Sequence, residues 1–114
     1  MTSSMPSDRE REAIDTILKN IDLAESFLAG TSMEDFGKDV RQFYAVTRAL
    51  EIISEASRRL PVSVKQAFPD LPWRAIADAG NIYRHGYDLI APKRVWLTVR
   101  DNLPPLRAAL SQEH

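Results

Sequence analysis

Residues 38–60 read KDVRQFYAVTRALEIISEASRRL, a helical pattern uninterrupted by glycine or proline. Val40, Phe43, Thr47 and Leu50 recur three and four residues apart and fall on one helical stripe. Ala45, Ala49, Ile52 and Ala56 make a second stripe, and Ile53 and Leu60 extend the set. A helix that is apolar over so much of its girth is expected to be buried on two sides. One side faces a helical bundle. The other faces either more of the same bundle, as in the central helix of a monomer, or a second subunit.

Upstream of this helix, Ser7-Asp8-Arg9-Glu10 fits a capping box, with Ser7 accepting from the helix backbone and Glu10 reaching back. Ile14, Ile17, Leu18, Ile21, Ala24 and Leu28 then form one apolar stripe at helical spacing, and Gly30 is a natural stop. Residues 1–6 are expected to be a loose, disordered tail. Residues 30–37 read as a connector with one short turn around Met33 and Phe36.

Downstream, Pro61 breaks the long helix, and residues 61–70 read as a polar connector with one turn at Val64 to Phe68. Pro69 and Pro72 bracket a rigid elbow, and Pro72 suits the first turn of a third helix with Trp73, Ile76 and Ala77 on its inner face. Pro92 can open a last helix bearing Val95, Trp96, Val99 and Leu103. Pro104-Pro105 must kink or restart it, because neither residue donates to the helix ladder, while Leu106 and Leu110 continue the stripe. No segment alternates as a strand would. The pattern therefore predicts an all-α protein, an up-and-down bundle of four main helices filling one domain over residues 7–112.

Composition narrows the chemistry. A chain of 114 residues that is 44% hydrophobic and 27% charged is expected to fold around a single core. A net charge of -1 gives no overall attraction for nucleic acid, so any such binding must come from local arginine clusters. The absence of cysteine excludes disulfides, thiolate metal sites and cysteine nucleophiles, and it suits a cytoplasmic location. No run of about 18 apolar residues occurs, and the N-terminus lacks the pattern of a secretion signal. No metal is expected: Glu51 and Glu55 sit four apart without a histidine in register and read as a solvated or ion-paired stretch of helix. No phosphate-binding glycine loop marks a cofactor either.

The polar chemistry gathers in residues 69–87, PDLPWRAIADAGNIYRHGY. His85 is suited to moving protons near neutral pH, whereas the only other histidine, His114, is the last residue. Asn81 lies one helical turn before His85 and can orient the ring or a phosphate. Arg84 or Arg74 can stabilise developing negative charge. Gly86 is expected to end the helix, which leaves the Tyr87 hydroxyl free to project. Each residue also has a plainer role: Arg84 can pair with Asp88, Asn81 can cap a helix end, and Tyr87 can pack half-buried. Trp73 and Trp96 are expected in the core.

The runs Arg48–Ala56 (RALEIISEA), Pro69–Arg74 (PDLPWR), Asn81–Tyr87 (NIYRHGY) and Val95-Trp96 together resemble the HepT-like family of HEPN-superfamily toxins, from about Ser7 to Leu110. The resemblance implies a four-helix HEPN bundle that forms a homodimer and brings two copies of the motif to one cleft. It implies metal-independent cleavage of an RNA substrate, in which the ribose 2′-hydroxyl attacks the adjacent phosphate. His85 would manage protons and Asn81 would orient. The family motif is an Arg-Asn pair, three residues, then His-x-Tyr. Asn81, His85 and Tyr87 match it, but the arginine position is Gly80. Arg84 is the candidate replacement, although neighbouring side chains project about 100° apart around a helix. The family also implies a minimal nucleotidyltransferase antitoxin that transfers AMP onto the motif tyrosine, here Tyr87. The alternative, motivated by Gly80, is a catalytically weak or inactive module that binds such a partner or a nucleotide.

Overall fold

The computed structural model describes residues 7–78 and 90–113. Every element among them is a helix: α1 Asp8–Leu28, α2 Met33–Phe36, α3 Val40–Arg58, α4 Val62–Ala67, α5 Trp73–Asp78, α6 Ile90–Asp101 and α7 Leu103–Glu113. The expected all-α bundle is what the chain forms. Residues 1–6, expected as a loose tail, lie outside the described residues.

Helix α1 begins with the capping box read from the sequence. The Glu10 amide donates to Ser7 Oγ and the Ser7 amide donates to the Glu10 carboxylate, both at 3.2 Å. Ser7→Ala is expected to lower stability by about 0.5–2 kcal/mol. The check is a lower urea midpoint with an unchanged slope. Ile14, Ile17, Ile21, Ala24 and Leu28 are buried as expected, with Leu18 packed at the edge of the core. Asn20 is buried as well and donates to the Thr16 carbonyl at 2.9 Å, which satisfies its amide inside the helix. Gly30 takes φ +74°, the left-handed conformation that suits glycine after a helix end.

Helices α1 and α3 form the central contact of the fold. Gln42, near the start of α3, donates to the Phe27 carbonyl at 2.6 Å and to Thr31 Oγ1 at 2.8 Å, near the end of α1. The two helices therefore run antiparallel. The short turn expected around Met33 and Phe36 is α2, capped by Ser32, and it sends fully buried Phe36 to within 5.9 Å of the Phe43 ring, centroid to centroid.

The two stripes on α3 are only partly as expected. Phe43, Thr47, Leu50, Ala49, Ala56 and Ile53 are buried, but Val40 is 53% exposed because it is the first residue after the Asp39 cap. Ala45 and Ile52 are half-buried. Val46, Ser54 and Ser57 fill core positions that the two stripes left out. Thr47 is accommodated there by donating to the Phe43 carbonyl at 2.6 Å.

The C-terminal helices lie antiparallel to α1: Trp96 on α6 reaches Thr31, and Arg107 on α7 pairs with Asp22 and Glu25. Helix α6 starts at Ile90, two residues before the proline expected to open it, since a helix tolerates proline anywhere in its first turn. The two prolines at 104 and 105 restart the helix: α6 ends at Asp101, α7 begins at Leu103, and both prolines occupy its first turn. The single last helix read from the sequence is thus two. The third helix is described only as α5, through Asp78.

Candidate active site

The candidate residues Asn81, Arg84, His85 and Tyr87, together with Gly80, lie outside the described residues. What the structure does describe is the frame from which that segment departs and to which it returns.

The frame begins at the elbow. The Trp73 indole N–H donates to the Phe68 carbonyl at 3.0 Å, and the Leu71 amide donates to the same carbonyl at 3.2 Å. One oxygen thus ties both sides of Pro69 and Pro72. The Ile76 amide donates to the Pro72 carbonyl at 2.9 Å, starting α5 where the proline has no donor to lose. Trp73 is half-buried and packs against the core, so its indole is shared between packing and holding the turn. Ile76 is buried, while Ala77 is only partly so.

Helix α5 is then fixed to α3 by polar contacts. Ser54 Oγ donates to the Ile76 carbonyl at 2.8 Å, and Arg58 Nη2 donates to the Ala77 carbonyl at 2.6 Å. Ser57 Oγ donates in turn to the Ser54 carbonyl at 2.7 Å. Both anchored carbonyls belong to the last residues described before the motif segment. Ser54 and Ser57 are almost fully buried, so their hydroxyls act where water does not compete. Sequence reading missed this trio. The available signal was a pair of small hydroxyl residues three apart on an otherwise apolar face, just before Arg58. Ser54→Ala is expected to destabilise the fold by about 1–3 kcal/mol, because it removes a donor from a buried carbonyl. A Ser54→Thr variant that keeps the hydroxyl but adds a methyl separates the lost bond from altered packing when both are compared by chemical denaturation.

The remaining candidates occupy surface positions. Arg74 is almost fully exposed, with Nε 3.9 Å from the Asp78 carboxylate, a contact that contributes little to stability. Glu51 pairs with Arg48, and Glu55 lies 3.5 Å from Arg59, which agrees with reading this acidic pair as ion-paired helix surface. Trp96 is half-buried beside the core, donates to the Thr31 carbonyl at 3.1 Å, and carries the Arg100 guanidinium 5.1 Å from its ring centroid. Neither tryptophan is fully buried, because each must bring its N–H to a carbonyl at the edge of the core.

No described helix is long and apolar enough to cross a membrane. The family described as "Ribonuclease HepT-like" matches residues 17–113. "Probable ribonuclease HepT" of Thermococcus cleftensis is 35% identical over 97 residues, covering 85% of this chain and 88% of that protein. "Putative RNase TTE0752" of Caldanaerobacter subterraneus subsp. tengcongensis is 29% identical over 102 residues, or 90% and 91% of the two chains. "Putative RNase MJ1380" of Methanocaldococcus jannaschii is 39% identical over 64 residues, covering 56% of this chain and 59% of that protein. No solved structure is significantly similar to the chain. An all-helical bundle matched over nearly its whole length places this chain in the HepT-like ribonuclease family.

Proposed function

We propose that the protein is a metal-independent endoribonuclease and the toxin of a toxin–antitoxin pair, acting as a cytoplasmic homodimer. The observation that carries this reading is the motif Asn81-x-x-x-His85-x-Tyr87 within a chain that belongs to a ribonuclease family. In the reaction, the ribose 2′-oxygen forms a bond to the adjacent phosphorus as the bond from phosphorus to the 5′-oxygen breaks. The 2′-hydroxyl loses its proton to an imidazole, and the leaving 5′-oxygen gains one. With two copies of His85 in one dimeric cleft, one takes the first proton and the other supplies the second. Asn81 orients the phosphate. Arg84 stabilises the charge on the non-bridging oxygens in place of the arginine that Gly80 lacks.

Tyr87 is the regulatory acceptor. Its hydroxyl oxygen attacks the α-phosphorus of ATP bound to a minimal nucleotidyltransferase, AMP is transferred, and pyrophosphate leaves. An anionic nucleotide two residues after His85 repels RNA phosphates, so modification silences the cleft.

The test is incubation of purified protein with labelled RNA in EDTA, beside Arg84→Ala. The expected result is a wild-type product ending in a 2′,3′-cyclic phosphate, with turnover at least about tenfold lower in the variant. Gly80 favours one competing reading: a module that binds the nucleotidyltransferase or a nucleotide without cutting RNA. Absence of cleavage by wild-type protein, once its mass excludes AMP on Tyr87, together with retained affinity for the nucleotidyltransferase or a nucleotide, would favour that reading instead.

A further inference from the structure

Among the described residues, α5 packs chiefly against α3, and two α3 side chains bond its backbone carbonyls, Ser54 at Ile76 and Arg58 at Ala77. The two donors differ in kind. Ser54 is buried in the core, whereas Arg58 is exposed, ends α3 and pairs with no carboxylate among the described residues. Its guanidinium crosses 19 residues of sequence to donate from Nη2 to the Ala77 carbonyl at 2.6 Å. We propose that Arg58 is a positioning residue for RNA cleavage, one that ties the segment carrying Asn81 and His85 to the packed α1–α3 pair.

The six described residues of α5 make too short a helix to be stable alone, so its placement comes from whatever holds it. The bonds around Phe68 fix where it starts. Arg58 fixes the last carbonyl but one before the motif segment. A bond from a guanidinium is charge-assisted, and the planar fork gives it direction, so this tie is stronger than a neutral one. A cation in the last turn of α3 also offsets the partial negative charge of that helix end, but this plainer role needs no partner on another helix. Arg58 has one.

Asn81 follows Ala77 by only four residues, and His85 follows it by eight. A chain covers at most about 3.3–3.6 Å per residue, so Asn81 stays within about 14 Å of the tied residue whatever path the backbone takes. Little chain is available to absorb an error in the position of that carbonyl. A reacting group displaced by about 1 Å can cost about 10²-fold in rate, even when the change lies far from the chemistry. Arg58 itself touches neither substrate nor reacting atoms in this scheme and acts through the segment it holds.

The role rests on the ribonuclease reading, and its test separates the two. Cleavage of labelled RNA in EDTA is measured for full-length wild type, Arg58→Ala, Arg58→Lys and Arg59→Ala, well below their thermal midpoints. Arg58→Ala is expected to lower kcat by about 10- to 10²-fold with KM within about twofold, the mark of lost geometry rather than lost binding. Arg58→Lys, which keeps a charged donor, should recover part of that loss. Arg59→Ala removes the same charge one residue away, from a guanidinium 3.5 Å from Glu55, and should leave kcat in place. Hydrogen exchange on the same proteins gives a readout that needs no activity: Arg58→Ala should speed exchange in peptides from residues 79–89 and leave those from α1 and α3 unchanged. A wild-type kcat in Arg58→Ala would overturn the proposal, as would a rise in KM alone, which would make the exposed guanidinium an RNA contact. Unchanged exchange would overturn it too. A wild type that cuts no RNA would sink the ribonuclease reading and the positioning role with it, and exchange would then report only whether the tie exists.

Discussion

His85→Ala is expected to lower RNA cleavage by about 10²–10⁴-fold, the range for removing a positioned general acid or base. In the proposed dimeric cleft a single substitution would delete both proton carriers, so the loss should fall towards the upper end. The pH profile adds a readout that a structural role would not give. Imidazole changes charge between about pH 5 and 8. Below that window both copies are protonated and the base is missing; above it both are neutral and the acid is missing. The wild type should therefore give a bell-shaped profile, and the residual rate of the variant should show neither limb. Thermal midpoints of the two proteins should coincide. A variant that cuts at the wild-type rate would remove His85 from the mechanism.

Phe36→Ala is expected to lower stability by about 3–5 kcal/mol, as for other aromatic-to-alanine changes in cores. Phe36 is fully buried although it belongs to a helix of only four residues. Its ring meets Phe43 of α3, and α2 also packs against α6, so one side chain closes the bundle at the end where α1 hands over to α3. Domains of this size are stable by about 5–15 kcal/mol in all, so the loss is a large share of the total. Phe27→Ala is the control, since that ring is 38% exposed on α1 and should change stability far less. Urea titration of both variants decides the matter; equal midpoints would mean that α2 does not seal the core.

Sequence made much of this fold legible because its signals are local. Ser7 with Glu10 fixed the start of α1, and Gly30 marked its end. Proline was a weaker guide. Pro92 sits in the third position of its helix and was read as the first, since every first-turn position lacks an internal amide partner and tolerates proline alike. Val40 was counted as core from its spacing, but a first-turn position precedes the packed surface. The polar frame around the candidate site was not legible. Ser54 meets Ile76 across 22 residues and Arg58 meets Ala77 across 19, and no periodicity encodes such pairings. The candidates Asn81, His85 and Tyr87 rest on their spacing and the family resemblance and lie outside the described residues, and spacing alone does not place Arg84 beside them.

The dominance of the α1–α3 contact also orders events on the ribosome. About half of the chain, ending with α3, carries the two helices that pack most extensively against each other, and it leaves the ribosome first. Contacts between elements close in sequence form with a small loop-closure penalty, so this hairpin is expected to collapse during synthesis. The motif segment emerges afterwards. It can be held at both ends only when α6 and α7 have followed and docked against α1. A growing chain therefore acquires its α1–α3 scaffold before residues 81–87, which hold the proposed site residues, have emerged.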